Sequence, residues 1–122
     1  MASWIRSYWD VEDITFLWEV GDDGWVTRSV ELVGPDHRPQ AAAMLAEELH
    51  ARDRGGLPAV QAYETRYGGT PEAPVHEWDT GFPHDEISRE LFEEAWEQSR
   101  RVLEQADPGG RHRRSVWCGR TD

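Results

Sequence analysis

The strongest constraint on the fold is a β-hairpin signal near the N-terminus. Two segments rich in β-branched and aromatic residues, 14–20 and 25–33, flank the turn sequence Gly-Asp-Asp-Gly at 21–24. A three-residue loop would place Gly24 in the left-handed conformation, which glycine adopts without a steric penalty. These features predict two antiparallel strands joined by a tight turn.

The turn also predicts which residues of the two strands face each other. It sets Val20 opposite Val26 and Trp18 opposite Arg28, and it adds the pairs Phe16–Val30 and Ile14–Leu32. One face of the hairpin is then apolar except for Arg28. The other face is expected to be polar, and it carries Thr15, Glu19, Thr27, Ser29 and Glu31. We therefore expect the apolar face to form the core.

The remaining elements follow from periodicity and from residues that start or stop helices. Residues 3–11 alternate as a third strand, and residues 41–53 and 59–67 have helical spacing with Gly55-Gly56 between them, although 59–67 also fits a strand. Residues 75–78 fit a short edge strand. The predicted fold class is α+β. It consists of a three- to four-stranded antiparallel sheet packed against two or three helices, in one domain over 1–106, followed by a basic tail over 107–122.

The last predicted element is a long C-terminal helix. Ser88 is a suitable N-cap, and Arg100 and Arg101 lie toward the negative end of the helix dipole. The apolar stripe at three- and four-residue spacing predicts which side is buried, namely Phe92, Ala95, Trp96, Ser99 and Leu103.

Composition excludes some chemistry and favours one class of partner. All 13 basic residues are arginine, so the chain has no lysine for a Schiff base or for attachment of pyridoxal phosphate. Residues 1–106 hold 22 acids against 9 arginines, whereas the tail holds 4 arginines against 2 acids. An acidic body repels phosphate backbones and anionic lipid, so we expect no nucleic acid and no membrane as partners. The charge serves solubility or attracts a basic protein partner.

Location follows from the cysteine content and from the N-terminus. Cys118 is the only cysteine, so an internal disulfide cannot form, and it lacks a nearby histidine that would make it a nucleophile. No apolar run is long enough to cross a bilayer, and the N-terminus has no basic-then-apolar signal pattern. We therefore expect a cytoplasmic protein.

Four segments resemble a known family in sequence and order: 25–34, 62–68, 75–78 and the helix start at 86–96. Together they resemble small actinobacterial and wider bacterial single-domain proteins of unknown function, over roughly residues 4–105. The resemblance implies a compact, stand-alone α+β domain. It implies no activity, cofactor or catalytic residue.

The best candidates for chemistry lie in the segment 76–86, which contains His76, Asp79 and His84 among further carboxylates. Imidazole next to carboxylate is suited to acid–base catalysis and to binding divalent metals. The spacing of the two histidines matches no strong metal signature. We therefore expect neither a metal nor a cofactor.

The hairpin supplies the candidate binding residues. Arg28 is expected either to stack on Trp18 with its head in solvent, or to anchor an anion in an aromatic-lined hollow. Trp25 lies off the apolar face, beside Asp22 and Asp23, and is the ring we expect to be exposed and to contact a partner.

Two functions fit these features, and they differ in class. The first is a non-enzymatic acidic binding domain, such as an inhibitor, immunity-like or accessory protein for a basic protein partner. The second is a small cofactor-free enzyme or ligand-binding protein of bacterial specialised metabolism, with His76, Asp79, His84 and Arg28 around an aromatic-lined pocket. The residues alone favour the first only narrowly, and they leave the oligomeric state open.

Overall fold

The computed structural model describes residues 2–77 and 83–105, and in that part it shows an antiparallel sheet with two helices. The elements are, in chain order, β1 (Ser3–Trp9), β2 (Ile14–Val20), β3 (Val26–Val33), β4 (Arg38–Met44), α1 (Leu45–Tyr67), a 3-10 turn (Val75–Glu77), β5 (Asp85–Glu86) and α2 (Arg89–Gln105). The five strands lie in the order β4-β3-β2-β1-β5. The predicted α+β class and the long C-terminal helix are confirmed.

The turn of the hairpin forms as its residues predict. Gly24 has a φ of 87°, in the left-handed region, and Val20 pairs with Val26. The Gly24 N–H donates to the Gly21 carbonyl at 2.9 Å and closes the turn. Local turn chemistry therefore determines the connection and the first pair.

Beyond that first pair, a β-bulge shifts the register by one residue. Thr27 has no residue paired with it in the β2–β3 ladder, so Glu19 pairs with Arg28 and Trp18 pairs with Ser29. The pairs predicted beyond the turn are therefore wrong, since Leu17 faces Val30 and Thr15 faces Leu32. Those wrong pairs are Trp18–Arg28, Phe16–Val30 and Ile14–Leu32.

The bulge gives the sheet two apolar faces instead of one. Leu17 and Val30 pack with Phe92 and Trp96 of α2, so the helix covers the face on which β2 had been expected to be polar. The opposite face carries a second buried cluster, formed by Ile5, Trp18, Val20 and Val26. Strand β2 thus contributes core residues to both sides.

Strand β4 replaces the first turn of a predicted helix. The helix predicted from residue 41 begins instead at Leu45, and Ala41, Ala42 and Ala43 are buried in the sheet. Small side chains are needed here, because a Cβ on Gly68 would lie 2.6 Å from the Cβ of Ala41. The close approach of the chain after α1 therefore favours a small side chain at Ala41 and a glycine at position 68.

Helix α1 contains the break that its glycines predict. Gly56 has φ 66° and ψ −157°, which kinks the helix, and Gly68 follows its last residue at φ 82°. The edge strand predicted at 75–78 is wrong, because Val75–Glu77 forms the 3-10 turn and residue 78 lies outside the described residues.

Helix α2 begins and packs as predicted. The Ser88 hydroxyl accepts the N–H of Leu91 at 3.0 Å, as an N-cap does. Phe92, Trp96 and Ser99 are buried, and Ala95 and Leu103 pack beside them. The helix therefore covers one face of the sheet and buries the apolar cluster on that face.

Replacement of the central indole should destabilise the protein strongly. Trp96 is 9% exposed, and Trp96→Ala should lower the free energy of unfolding by about 3–5 kcal/mol, the usual cost of a large-to-small core change. Urea unfolding measures this loss. Val102→Ala, on the same helix but 41% exposed, is the matched control and should change little. An unchanged midpoint for Trp96→Ala would contradict the packing described here.

Candidate functional site

Two inward-facing arginines, Arg28 and Arg100, lie next to Trp96, and each binds carboxylates from other elements. Arg28 on β3 and Arg100 on α2 have side chains only 13% and 14% exposed. Their guanidinium carbons lie 5.1 Å and 4.5 Å from the centroid of the Trp96 ring. Each also lies over a second ring, Phe92 at 4.9 Å and Tyr67 at 3.9 Å. Partly desolvated cation–π contacts of this kind stabilise more than exposed ones.

The Arg28 guanidinium is bound by two carboxylates. It donates to both oxygens of Glu19, from Nε at 2.9 Å and Nη2 at 2.7 Å, and to both oxygens of Glu93, from Nη1 at 3.0 Å and Nη2 at 2.6 Å. Such forked pairs are the strong form of ionic hydrogen bond. The hydrogen bond from Arg28, with others from Thr27 and Trp4, lowers the pKa of Glu19 to about 2.

This geometry excludes one of the two environments expected for Arg28. Stacking on Trp18 is wrong, because the bulge places Trp18 on the opposite face, where it stacks on Phe16 with ring centroids 5.1 Å apart. The head of Arg28 lies under α2, not in open solvent. Its role as an anion anchor stays a prediction, and an incoming anion would have to displace Glu19 or Glu93.

The second cluster joins both helices to the outer strand. Arg100 donates from Nε to the Ala42 carbonyl at 2.7 Å, from Nη2 to the Tyr63 hydroxyl at 3.0 Å and from both Nη atoms to Glu47. Tyr63 donates to Glu47 Oε1 at 2.5 Å and accepts the Met44 N–H at 2.8 Å. Burial and then the bond to Glu47 raise the pKa of Tyr63. Burial acts to raise the pKa of Glu47, but the bonds from Arg100 and Tyr63 outweigh it and hold that pKa below its ordinary value.

Next to this cluster, an open groove of about 450 Å³ runs between the helices. Its polar lining includes Glu47, His50, Tyr63, Tyr67, Arg100 and Glu104. These residues were not predicted as a site from the sequence, since the groups that meet here are 16 to 58 positions apart in the chain. The signal available was weak: two tyrosines on one stripe of α1 and an arginine near the end of α2.

The predicted chemistry-bearing segment lies elsewhere. The exposed His76 lies against the hairpin turn, where a Cβ on Gly24 would be 2.7 Å from its Nδ1, and the Val75 N–H donates to the Gly24 carbonyl. His84 is exposed just before β5, and Asp79 lies outside the described residues. Val75 packs with the cluster on the face opposite α2, whereas Arg28 lies under α2. The fold therefore does not bring His76 and Arg28 together in one pocket.

The tip of the hairpin is partly as expected. Asp22 and Asp23 are exposed, and Asp23 Oδ1 accepts the N–H of Trp25 at 3.0 Å. The Trp25 side chain was predicted to be exposed, but it is half-buried. The tip therefore presents two carboxylates beside an indole that is still reachable from solvent.

The outer side of α2 presents a row of carboxylates. Glu90, Glu94 and Glu97 are exposed, and with Glu93 and Arg89 they line a shallow groove of about 440 Å³. Glu93 is held from below by Arg28, so its carboxylate has a fixed position. This acidic row belongs to a helix that is anchored on its other side by Phe92 and Trp96.

Metal binding and membrane insertion are the two remaining properties that the described residues bear on. Within residues 2–77 and 83–105, no group of three or more His, Cys, Asp or Glu side chains is arranged to hold a metal ion. A separate finding is that none of the helices in those ranges is long and apolar enough to cross a bilayer. The tail at 107–122 lies outside the described residues.

Comparison with known proteins adds no functional assignment. A scan against protein-family models, a search of the curated proteins and a search of the solved structures each found no match. The resemblance to small bacterial single-domain proteins therefore stays a prediction. The assignment of function depends on the geometry given above.

The contribution of Glu19 to stability should disappear in acid. Its pKa is about 2 in the folded protein against an ordinary 4.5, so the stabilisation is fully present above pH 4.5 and is lost as the pH falls toward 2. Glu19→Gln should therefore be less stable than the wild type near neutral pH, with the difference shrinking steadily in that acid range. Urea unfolding at several pH values measures it. Glu97→Gln, an exposed control, should show little difference throughout, and a pH-independent deficit in Glu19→Gln would contradict the assignment.

Proposed function

We propose that this chain is a cytoplasmic, non-enzymatic acidic binding domain that recognises a basic protein partner, as an inhibitor, immunity-like or accessory protein does. The observation that carries the proposal is where the fold places its charges. Over residues 2–77 and 83–105, fifteen acidic side chains are exposed against seven arginines. The other two arginines of those ranges, Arg28 and Arg100, are turned inward and bound by carboxylates.

The exposed surface keeps the acidic balance of the composition, because the two inward arginines are matched by the carboxylates that bind them. A cation that is stacked on rings and bonded to carboxylates contributes little positive potential outside the protein. The remaining surface field is negative, and such a field speeds encounter with a positively charged partner while repelling nucleic acid. This supports a basic protein as the class of partner.

The acidic row on α2 supplies a surface that a partner can use. Glu90, Glu94 and Glu97 lie on one side of a helix that is fixed by its buried residues and by the Arg28–Glu93 pair. Because the helix backbone is already fixed, a partner that pairs its arginine or lysine with these carboxylates has to order only their side chains. The row is suited to steering and orientation.

The hairpin tip supplies a candidate anchor. Aromatic residues with a reachable ring and polar neighbours dominate many protein interfaces, and Trp25 lies beside Asp22 and Asp23. Its backbone is held by the bond to Asp23 and by the turn. The tip is therefore preorganised, and a partner need not reshape it.

One observation favours the alternative, a small cofactor-free enzyme or ligand-binding protein. The groove between α1 and α2 combines the aromatic and titratable groups of Tyr63, Glu47 and His50 in a space large enough for a small molecule. The polar atoms of Tyr63, Glu47 and Arg100, however, are already bonded to one another and to β4. The same holds for Arg28, so a ligand in either place would have to break internal bonds.

The proposal predicts a salt-dependent association. With the protein that co-purifies with the native chain as the probe, the on-rate should fall as salt rises, because steering acts over a Debye length of about 10 Å at 0.1 M salt. The double variant Glu94→Arg/Glu97→Arg should slow association further. Asp36→Arg, a charge reversal in the exposed β3–β4 turn, is the control and should have a smaller effect. A salt-independent on-rate, or a small molecule as the only co-purifying species, would contradict the proposal.

The anchor predicts a different effect, on dissociation. Trp25→Ala should weaken binding by about 2 kcal/mol or more if the ring is a hot spot, and its melting temperature serves to show that the fold is intact. His76→Gln/His84→Gln should leave binding almost unchanged. The alternative function expects the reverse, with activity or ligand binding lost in the histidine or Arg28 variants and retained in Trp25→Ala. That reverse pattern would reject the binding-domain proposal.

A further inference from the structure

Strand β4 is an edge of the sheet, and edge strands expose backbone groups that can pair with another chain. Ala42 and Met44 are two residues apart on β4, so their outward backbone groups lie along the same edge. An unprotected edge of this kind, with uncharged side chains from Ala41 to Met44, three of them alanine, is a template for strand addition. What covers it therefore matters.

Two side chains bond to the backbone along this edge. The Tyr63 hydroxyl accepts the Met44 N–H at 2.8 Å, and Arg100 Nε donates to the Ala42 carbonyl at 2.7 Å. One acceptor and one donor at this separation are what a neighbouring strand would supply. The side chains come from α1 and α2, which are otherwise unrelated in sequence.

A third residue fixes the first two. Glu47 accepts from the Tyr63 hydroxyl and from both Nη atoms of Arg100, and Arg100 is stacked on Tyr67 at 3.9 Å. Both ends of the arrangement are thus bonded to one carboxylate, which limits their freedom to leave the strand.

We infer that Tyr63, Arg100 and Glu47 form an edge lock, which prevents β4 from pairing with β4 of a second copy of this chain. The β4 strand of a second copy is the simplest partner, because two identical strands can pair in antiparallel fashion about a two-fold axis. The start of β4 needs no lock, since Pro39 has no N–H to donate. At the other edge, β5 is two residues long and both are acidic, which also opposes pairing. The inference is independent of the proposed function.

Tyr63→Phe tests the lock with the loss of one oxygen atom. In the wild type the Met44 amide is held by a hydrogen bond, so its hydrogen exchange should be slow, and in Tyr63→Phe it should be about five- to ten-fold faster. Tyr67→Phe is the matched control on the same helix, because its hydroxyl bonds to the exposed Glu104 and not to the backbone of β4. It should leave exchange at Met44 unchanged. Unchanged exchange at Met44 in Tyr63→Phe would overturn the inference.

The core amide of Val30 separates a local effect from loss of stability. Val30 is fully buried in β3, so it reports global opening. Faster exchange at Met44 with unchanged exchange at Val30 supports the lock. An equal acceleration at both sites means that the variant only destabilises the fold, and it would overturn the inference.

Sedimentation tests the blocked partner directly. Tyr63→Phe/Arg100→Gln should form a dimer whose fraction rises with protein concentration, and protection at Met44 should return as the dimer forms. Tyr67→Phe/Arg101→Gln removes the same groups from neighbouring positions, a half-buried one on α1 and an exposed one on α2, and should behave as the wild type does. A double lock variant that matches the wild type in sedimentation at every concentration would overturn the inference.

Discussion

The contact of one indole ring with two guanidinium groups is the interaction on which the rest of the structure depends. Trp96 lies within about 5 Å of both Arg28 and Arg100, and each arginine is bound by carboxylates from other elements. Through these contacts β2, β3 and β4 are joined to both helices. A planar guanidinium can stack and donate several bonds at once, which an ammonium cannot do, so the arginine-only composition is well suited to this arrangement.

The same arrangement connects stability with recognition. Drawing Arg28 and Arg100 inward pairs them with Glu19, Glu47 and Glu93, whereas Glu90, Glu94 and Glu97 on the outer side of α2 stay exposed. Arg100 also covers the edge of β4 with Tyr63. One set of contacts therefore fixes α2, which carries the exposed carboxylates, and also covers the edge of β4, so a substitution in that set would alter both.

Local chemistry allowed part of this structure to be predicted from the sequence. Gly24 and Ser88 act through their own turn and cap, and the stripe of α2 follows from helical spacing, so all three were predicted correctly. The bulge at Thr27 was not, because the alternation predicts a single apolar face, whereas the folded sheet has apolar clusters on both faces. The partners of Arg28 and Arg100 were missed since Glu93 and Glu47 are 65 and 53 positions away. Tertiary packing selected them.

The bulge leaves the hairpin one residue longer than its ladder requires. Val26 already pairs with Val20, and Arg28 resumes pairing at Glu19, so Thr27 adds length without adding a backbone partner. Its hydroxyl bonds to the carbonyl and the carboxylate of Glu19 instead. A chain lacking this residue could keep Arg28 opposite Glu19 and Val30 opposite Leu17, and so keep α2 on the same face. Position 27 is therefore where related chains can differ in length during evolution while the sheet, its two faces and both arginines stay in place.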